Sequence, residues 1–305
     1  MIPRSGLFLV HKPSGCTSTT VCRTLKRLLR EAGGEKKPKI GHIGTLDPFA
    51  EGLLPVATGE GTKLIPHLNT QTKDYQFTLA WGFETETGDF LGAPGETSPH
   101  RPTATAIEGT LPQFRGAILQ IPPRFSALKI GGKRAYTLAR AGETFELQPR
   151  PQTIFSLDLI EASTTHAILN VRCNTGTYVR TLAQDLARAL GTRGHLTALC
   201  RTAVGEWPLA RATPLYSLEE IVHGEESLRS FWLSPREMLD DIPALFLDTE
   251  QIQKVCRGQS IPVPETIRGV SYDTVVSCLD VGGSVRALGH VREGMVYPFR
   301  VLLQE

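Results

Sequence analysis

Residues 41–54 read GHIGTLDPFAEGLL, and three glycines in this stretch surround a single aspartate. Glycine allows tight backbone turns and lets a ligand or another chain segment approach the backbone closely. Asp47 is followed by a rigid proline, so its carboxylate could serve as a fixed nucleophile or base. A turn aspartate that accepts hydrogen bonds from its own backbone is the alternative, and the segment alone favours that simpler interpretation.

Hydrophobic periodicity predicts strands and helices on both sides of this stretch. The run GLFLV at 6–10 is typical of a short buried strand, and helical spacing of apolar residues predicts a helix that ends near Arg30. Alternation over 75–82 predicts a half-buried strand, and two more strands of one sheet are expected between residues 151 and 174. Residues 179–190 form the clearest helix, because apolar residues recur there at intervals of three and four.

The composition and the hydrophobic periodicity of the sequence change toward its C-terminus. Residues 82–102 are polar and rich in turn residues, which predicts a long surface loop. Over 206–240 the helical pattern breaks into short pieces, and after that short strands with glycine turns dominate. We therefore expect two domains, a large one over 1–240 and a small β-rich one over 241–305.

The net charge of +2 hides two basic blocks. Residues 1–63 carry ten Lys and Arg against five Asp and Glu, and residues 115–150 carry seven against two. Blocks of this kind indicate a surface that binds a polyanion, although solvated loops would give the same pattern.

Several function classes lack their sequence signals. There is no GxxxxGK[ST] or GxGxxG phosphate-binding sequence, and no HExxH or CxxC spacing that would indicate a metal site. We therefore expect chemistry that needs neither a cofactor nor a metal. The apolar run at 6–10 is too short for a signal peptide and no other segment could span a bilayer, which predicts a cytoplasmic protein with reduced thiols and no membrane partner.

Two other segments could present functional side chains. In NTGTYVRTLAQDL at 174–186, Tyr178 and Arg180 lie where a strand turns into the strong helix, and Arg180 could keep a carboxylate ionised. Tyr75 lies at the mouth of a strand, where a tyrosine could stack on a nucleobase with a gain of roughly 1–3 kcal/mol. A packed tyrosine, a surface arginine and, for His42, an ordinary loop histidine are the alternatives.

Taken together, these segments resemble the TruB-type tRNA pseudouridine-55 synthases, in the order in which that family carries its motifs. The matching segments span residues 6 to about 215 and are KPSGCTS at 12–18, KIGHIGTLDPFAEGLL at 39–54, GEGTK at 59–63, KDY at 73–75, GFETETGDFLG at 82–92, PPRFSALKIGGKRAYTLARAG at 122–142, GTYVRTLAQDL at 176–186 and HLTALCRTAVG at 195–205. So many motifs in order outweigh the simpler interpretations of the single residues.

The resemblance implies a fold and a reaction. The fold is α+β, with a central mixed or antiparallel sheet flanked by helices, and with a small β-rich, PUA-like RNA-binding domain at the C-terminal end. The reaction isomerises the uridine at position 55 in the T-loop of tRNA: uracil is detached from its ribose, turned and rejoined through C5. Asp47 is the implied nucleophile. Attack at ribose C1′, deprotonation at C2′ and addition at uracil C6 all remain open.

The resemblance also implies tasks for the other residues of the site. Arg180 pairs with Asp47, Tyr75 stacks on the target base, and Tyr178 and Leu199 line the pocket. A uridine in a folded loop is stacked and inaccessible, so it must be flipped out of the loop.

The remaining implied contacts concern the RNA around the target uridine. His42 is expected to fill the space that the flipped uridine leaves, and Lys12 is expected to bind substrate. The basic block 115–150 would form a clamp that contacts phosphates of the T-arm without reading its sequence. We expect tRNA as the partner of a monomer that needs no obligate protein partner.

Three alternatives remain beside this hypothesis. A non-catalytic RNA-binding or RNA-folding protein would keep the basic blocks, and such a role could accompany catalysis. A synthase of the archaeal and eukaryotic type would work with a guide RNA and accessory proteins. A glycosidase that uses Asp47 would need a second carboxylate nearby, for which Asp89 is the candidate.

Overall fold

A computed structural model describes residues 4–223, 228–263 and 273–302. Within these residues the α-helices are α1 (Ser18–Glu31), α2 (Ala104–Thr110), α3 (Ala135–Arg140), α4 (Val179–Ala189), α5 (Leu215–His223) and α6 (Thr249–Cys256). Short 3-10 helices cover Gly59–Lys63, Ile65–His67, Leu111–Phe114, Leu209–Arg211, Leu228–Phe231 and Glu237–Leu239. None of the helices described is long and apolar enough to cross a membrane.

The strands of the described residues form four sheets. The strands are β1 (Gly6–Lys12), β2 (Ile40–His42), β3 (Glu51–Thr58), β4 (Thr72–Trp81), β5 (Phe83–Thr85), β6 (Pro94–Thr97), β7 (Gly116–Gln120), β8 (Lys129–Ile130), β9 (Lys133–Arg134), β10 (Arg150–Ala162), β11 (His166–Asn174), β12 (Gly194–Val204), β13 (Trp207–Pro208), β14 (Thr213–Pro214), β15 (Trp232–Leu233), β16 (Ala244–Phe246), β17 (Ile261–Pro262), β18 (Thr274–Leu279), β19 (Val285–Arg292) and β20 (Met295–Val301).

The large sheet is mixed, with the strand order β14-β1-β3-β12-β4-β11-β10-β7. The pairs β1–β14 and β3–β12 are parallel, and the other pairs along this order are antiparallel. A second sheet has the order β16-β18-β19-β20-β17 and belongs to the C-terminal part of the chain. The predicted mixed α+β fold with a β-rich C-terminal part is confirmed. Residues 264–272 and 303–305 of the predicted C-terminal domain lie outside the described residues.

Strand β1 is buried on both of its faces. Phe8 and Val10 pack into the cluster that also holds the apolar faces of α1 and α4, whereas Leu7 and Leu9 pack into a second cluster on the opposite face. A strand covered on both faces has no solvent-facing positions. This explains why β1 reads as a continuous apolar run instead of an alternating pattern.

The second apolar cluster joins the two large sheets. From the large sheet and its loops it contains Leu7, Leu9, Leu53, Ala57, Leu64, Leu68, Val204 and Trp207, and from the C-terminal part Met238, Leu239, Leu279, Val285, Leu288 and Leu302. All of these side chains are less than a tenth exposed. The C-terminal part therefore packs against the β1 and β3 side of the large sheet and excludes water from that part of its face.

The two helices with strong apolar periodicity lie at the positions that the sequence predicts. Helix α1 begins after Thr17, whose side chain accepts a hydrogen bond from the Thr20 amide at 3.0 Å and so caps the helix. Helix α4 coincides with the predicted segment apart from its last residue, and it buries Leu182 and Leu186 completely. These two helices pack on the face of the sheet opposite to the C-terminal part.

Three parts of the fold differ from the sequence-based expectation. The segment 82–102 is not all loop, since β5 and β6 pair there as a small hairpin. The central strand β12 has two register irregularities, between Leu196 and Ala198 and between Arg201 and Ala203, so its side chains do not keep a regular alternation. Helix α6 is an addition to the C-terminal β-structure, and Asp248 and Gln251 form a capping box at its start.

Candidate active site

Asp47 lies in the loop between β2 and β3 and forms an ion pair with Arg180, the second residue of α4. The Nε atom of Arg180 lies 2.8 Å from Oδ2 of Asp47. The arginine side chain is only 5% exposed, whereas the aspartate side chain is 35% exposed. Among the described residues no hydrogen bond reaches Oδ1 of Asp47. The Asp47 side chain is therefore partly accessible, while one of its carboxylate oxygens is held by a buried cation.

The guanidinium of Arg180 is itself fixed by two main-chain carbonyls. Its Nη1 donates to the Thr87 carbonyl at 2.6 Å, and its Nη2 donates to the Phe125 carbonyl at 2.9 Å. These partners come from the loop after β5 and from the segment after β7. A buried arginine is tolerated when its N–H groups are satisfied, so three separate chain segments together stabilise this charge.

Asp89 is engaged in its own turn. Its Oδ1 accepts hydrogen bonds from the Thr87 hydroxyl at 2.7 Å and from the Leu91 amide at 3.0 Å, and its Oδ2 lies 3.9 Å from Nη1 of Arg180. The side chain is 8% exposed. Asp89 thus supports the loop that holds Arg180, and this contrasts with the accessible second carboxylate that a glycosidase would need.

Tyr75 and Leu199 come from the two central strands β4 and β12. Tyr75 lies on the buried face of β4, opposite Arg201 across the strand pair. Burial raises the pKa of its phenol, and the Arg201 guanidinium opposes that rise, so the phenol is protonated at neutral pH. Leu199 is 6% exposed and belongs to the main apolar cluster, where it pairs with Phe77 across the strands.

Tyr178 is the N-cap residue of α4, two positions before Arg180. Its side chain is half-buried, and burial raises the pKa of its phenol. Its main chain is fixed by Gln120, whose Oε1 accepts from the Tyr178 amide at 2.8 Å and whose Nε2 donates to the Tyr178 carbonyl at 3.0 Å. The side-chain amide of one strand residue therefore holds the turn that presents both Tyr178 and Arg180.

His42 and Lys12 have different surroundings. His42 ends β2, is half-buried, and its Nδ1 has no hydrogen-bond partner within the part of the chain described. Burial, followed by the Arg201 charge, lowers the pKa of its imidazole. Lys12 is completely buried, and its ammonium donates to the carbonyls of Cys16 at 2.7 Å and Pro13 at 2.9 Å. This geometry gives Lys12 the task of supporting a loop, in place of the substrate contact expected from the sequence.

Buried cations lie directly behind the Asp47 loop. Arg201 is completely buried and donates from Nε to the Leu53 carbonyl at 2.8 Å and from Nη2 to the Gly44 carbonyl at 3.0 Å. Gly44 has a φ of +71°, and a Cβ there would lie 2.8 Å from the Lys73 Nζ. Gly52 has a φ of +108°, and a Cβ there would lie 2.4 Å from the Arg201 carbonyl oxygen. Both glycines are therefore required by the backbone and the packing behind the loop.

Ser18 fastens the other side of this loop, a role that no pattern in the sequence had indicated. Its hydroxyl donates to the Leu46 carbonyl at 3.0 Å and accepts from the Leu46 amide at 2.9 Å, directly before Asp47. Ser14 adds a hydrogen bond to the Phe49 carbonyl at 2.7 Å. Ser14 and Ser18 lie in KPSGCTS, so this motif acts by holding the loop.

The charged residues of the basic block predicted at 115–150 face solvent. All seven of its Lys and Arg residues are exposed, namely Arg115, Arg124, Lys129, Lys133, Arg134, Arg140 and Arg150. The block begins at β7 and ends at β10, and it contains the hairpin β8–β9 and helix α3. Because Phe125 in this block contacts Arg180, the basic surface adjoins the ion pair. Within the described ranges, no group of three or more His, Cys, Asp and Glu side chains is arranged to hold a metal ion.

The chain matches family models over most of its length. Residues 26–179 match the N-terminal domain of the TruB family pseudouridylate synthases, and residues 180–240 match the C-terminal domain of tRNA pseudouridylate synthase B.

Its relatives include proteins named tRNA pseudouridine synthase B. The one from Bradyrhizobium diazoefficiens is 43% identical over 305 residues, with 97% of this chain and 85% of the relative covered. The one from Caulobacter vibrioides is 41% identical over 304 residues, with 97% of this chain and 96% of the relative covered.

Solved structures of lower identity share the fold. An H/ACA RNP bound to a substrate RNA containing 2'-deoxyuridine has a TM-score of 0.71 at 20% identity, with 98% of this chain and 85% of that chain covered. An archaeal box H/ACA sRNP Nop10-Cbf5 complex has a TM-score of 0.71 at 21% identity, with 98% and 86% covered. At these identities the likeness concerns the fold alone.

Replacing Ser18 with alanine tests how the Asp47 loop is held. The change leaves the buried amide and carbonyl of Leu46 without partners, and we expect it to lower the free energy of unfolding by about 1–3 kcal/mol. Thr19→Ala, at the exposed neighbouring position, is the matched control and should change it by about 0.5 kcal/mol or less. Urea titration measures both variants, and equal losses would contradict the assigned role of Ser18.

Lys73 gives the stability a specific pH dependence. Burial, followed by the nearby Arg201 charge, lowers the pKa of its ammonium from 10.5 to about 8. Between these two values the unfolded chain binds more protons than the folded one, so the contribution of Lys73 to stability rises as pH increases. The gain is at most about 3 kcal/mol. Lys73→Met should remove this pH dependence. The unfolding free energy of wild type minus that of the variant, measured in urea across this pH range, should therefore rise as pH increases. Parallel pH profiles would disprove the assignment.

Proposed function

Because the chain belongs to the TruB family of pseudouridylate synthases, as its ordered motifs predicted, we propose that it isomerises a uridine of tRNA to pseudouridine with Asp47 as the nucleophile. We place the target in the T-loop, at position 55. The observation that carries this proposal is the ion pair of Asp47 with Arg180, in which the carboxylate is accessible and the arginine is buried.

The reaction is balanced with these side chains alone. The bond between uracil N1 and ribose C1′ breaks, a bond between C5 and C1′ forms, C5 loses a proton and N1 gains one. There is no net oxidation and no energy input. The Arg180 guanidinium holds the Asp47 carboxylate through the contact at 2.8 Å, and the carboxylate is the group that attacks. Attack at C1′, deprotonation at C2′ and addition at C6 are all compatible with one free carboxylate oxygen.

The target base would be held between strands and the start of α4. Tyr75 contacts the flipped base with a phenol that burial keeps protonated. Tyr178, which is half-buried at the N-cap of α4, lines the same space, and Leu199 contributes an apolar wall. His42 would enter the space that the flipped uridine leaves.

The RNA around the target would be held by charge. The exposed basic block 115–150 begins beside the site and forms the clamp over the T-arm, where it contacts phosphates. We propose that residues 241–305 act as a small RNA-binding domain next to the catalytic domain of residues 1–240, and that the chain works as a monomer without an obligate protein partner.

The proposal predicts the behaviour of Asp47→Asn. This change keeps the size of the side chain but removes its negative charge and its nucleophilicity, so turnover should be abolished while RNA binding is retained. Release of tritium from a T-arm stem-loop labelled at uridine C5 measures turnover, and filter binding of the same RNA measures affinity. Near-normal tritium release by Asp47→Asn would refute the nucleophile assignment.

Controls separate the alternatives. Asp240→Asn makes the same chemical change at an exposed carboxylate outside the motifs and should leave tritium release unchanged. Activity of the purified chain on the stem-loop alone would exclude a requirement for guide RNA or accessory proteins. Labelling only the uridine at position 55 tests the site of reaction. Absence of release from every tRNA substrate would favour a protein that folds RNA without modifying it.

A further inference from the structure

Gln120 occupies the junction between the basic clamp and the catalytic residues. It is the last residue of β7 and faces Arg150, the first residue of β10, across the strand pair. The clamp therefore leaves the sheet directly after Gln120 and returns to it at Arg150. The side chain of Gln120 is 2% exposed, so it points away from the RNA-binding surface and into the protein.

Both polar atoms of this side chain form hydrogen bonds with one residue, Tyr178. The amide of Tyr178 donates to Oε1 at 2.8 Å and Nε2 donates to the carbonyl of Tyr178 at 3.0 Å. Two hydrogen bonds, one to the amide and one to the carbonyl of the same residue, fix the orientation of its main chain as well as its position. Helix α4 has no side-chain cap at Tyr178, so this contact holds the start of the helix.

The contact connects the clamp to the nucleophile. Arg180 follows Tyr178 by two residues, forms the ion pair with Asp47 and donates to the Phe125 carbonyl, five residues beyond Gln120. The segment from Gln120 to Phe125 thus touches the turn of Tyr178 at one end and the guanidinium of Arg180 at the other. A displacement of the clamp base would move both ends of this connection together.

We propose that Gln120 is a positioning residue, which holds the main chain of Tyr178 and thereby aligns Arg180 with Asp47 according to the position of the clamp. This inference rests on the proposed function, since it concerns the rate of that reaction. Gln120 touches no reacting atom, and small displacements of a reacting group can cost roughly 100-fold in rate.

The first test replaces Gln120 with methionine, which has a similar length but cannot form either hydrogen bond. The single-turnover rate of tritium release should fall by roughly 10- to 100-fold, while the Kd for the stem-loop stays close to that of wild type. Gln152→Met is the matched control, because Gln152 is also buried and, within the described residues, its side chain bonds only to the Thr177 hydroxyl, at 3.3 Å. It should leave both the rate and the Kd near wild type.

The second test uses Gln120→Glu and separates positioning from folding. An ionised carboxylate accepts from the Tyr178 amide but cannot donate to its carbonyl, whereas a protonated carboxyl does both, as the amide does. The ratio of the single-turnover rate of Gln120→Glu to that of Gln120→Met should therefore rise as pH falls. Titrations that the two variants share cancel in this ratio. A role in folding alone would lower the thermal midpoints without changing this ratio.

The outcomes are distinct. If the wild-type protein releases tritium and Gln120→Met does so at the same rate, positioning by Gln120 is refuted and the proposed function stands. A constant ratio across pH, measured for variants that circular dichroism shows to be folded, also refutes it. If Gln120→Met does not fold, wild type takes its place in the ratio. The single-turnover rate of Gln120→Glu divided by that of wild type should then rise as pH falls, and a constant value refutes the proposal. Absence of tritium release by wild type refutes the proposed function itself.

Discussion

The ion pair of Asp47 and Arg180 holds together four chain segments that are far apart in sequence. The guanidinium of Arg180 is buried, so each of its N–H groups needs a partner, and these come from the loops that contain Asp47, Thr87 and Phe125. Loss of one partner would leave part of a buried charge without compensation, which costs more than an ordinary hydrogen bond. Asp89, which supports the Thr87 loop from behind, is therefore part of the same construction. The Asp47 carboxylate is fixed by the assembled fold and not by its own loop alone.

The sequence predicted those elements in which burial follows a regular pattern along the chain. Strand β1 lies between two apolar clusters and appears as an uninterrupted apolar run, and α4 buries one face and shows the helical period. Strand β12 was not predicted because two register irregularities break the alternation of its side chains, even though it lies in the centre of the large sheet. Its Arg201 is completely buried, and periodicity has no means of distinguishing such a residue from one that faces water.

The same limit applies to the candidate site. The position of Asp47 in a glycine-rich loop and the expected partnership with Arg180 followed from the motifs, and the structure brings these two side chains into contact. The residues that hold them in place did not follow, because Gln120 and Ser18 act on main-chain atoms of segments that are distant in sequence. The resemblance also implied that Lys12 binds substrate, whereas here its ammonium donates to main-chain carbonyls.

The apolar cluster shared by the two large sheets has a consequence for comparing this chain with others. Leu7, Leu9 and Leu64 share this cluster with Leu279, Val285 and Leu288 of the C-terminal sheet, so removal of that sheet would uncover part of the cluster. A chain with the same large sheet but without the second one would therefore need polar side chains at those places to stay soluble. The identity of these few residues, close to the start of the chain, is thus a marker for whether a homologue carries the C-terminal sheet, even when the sequence of that sheet has diverged beyond recognition.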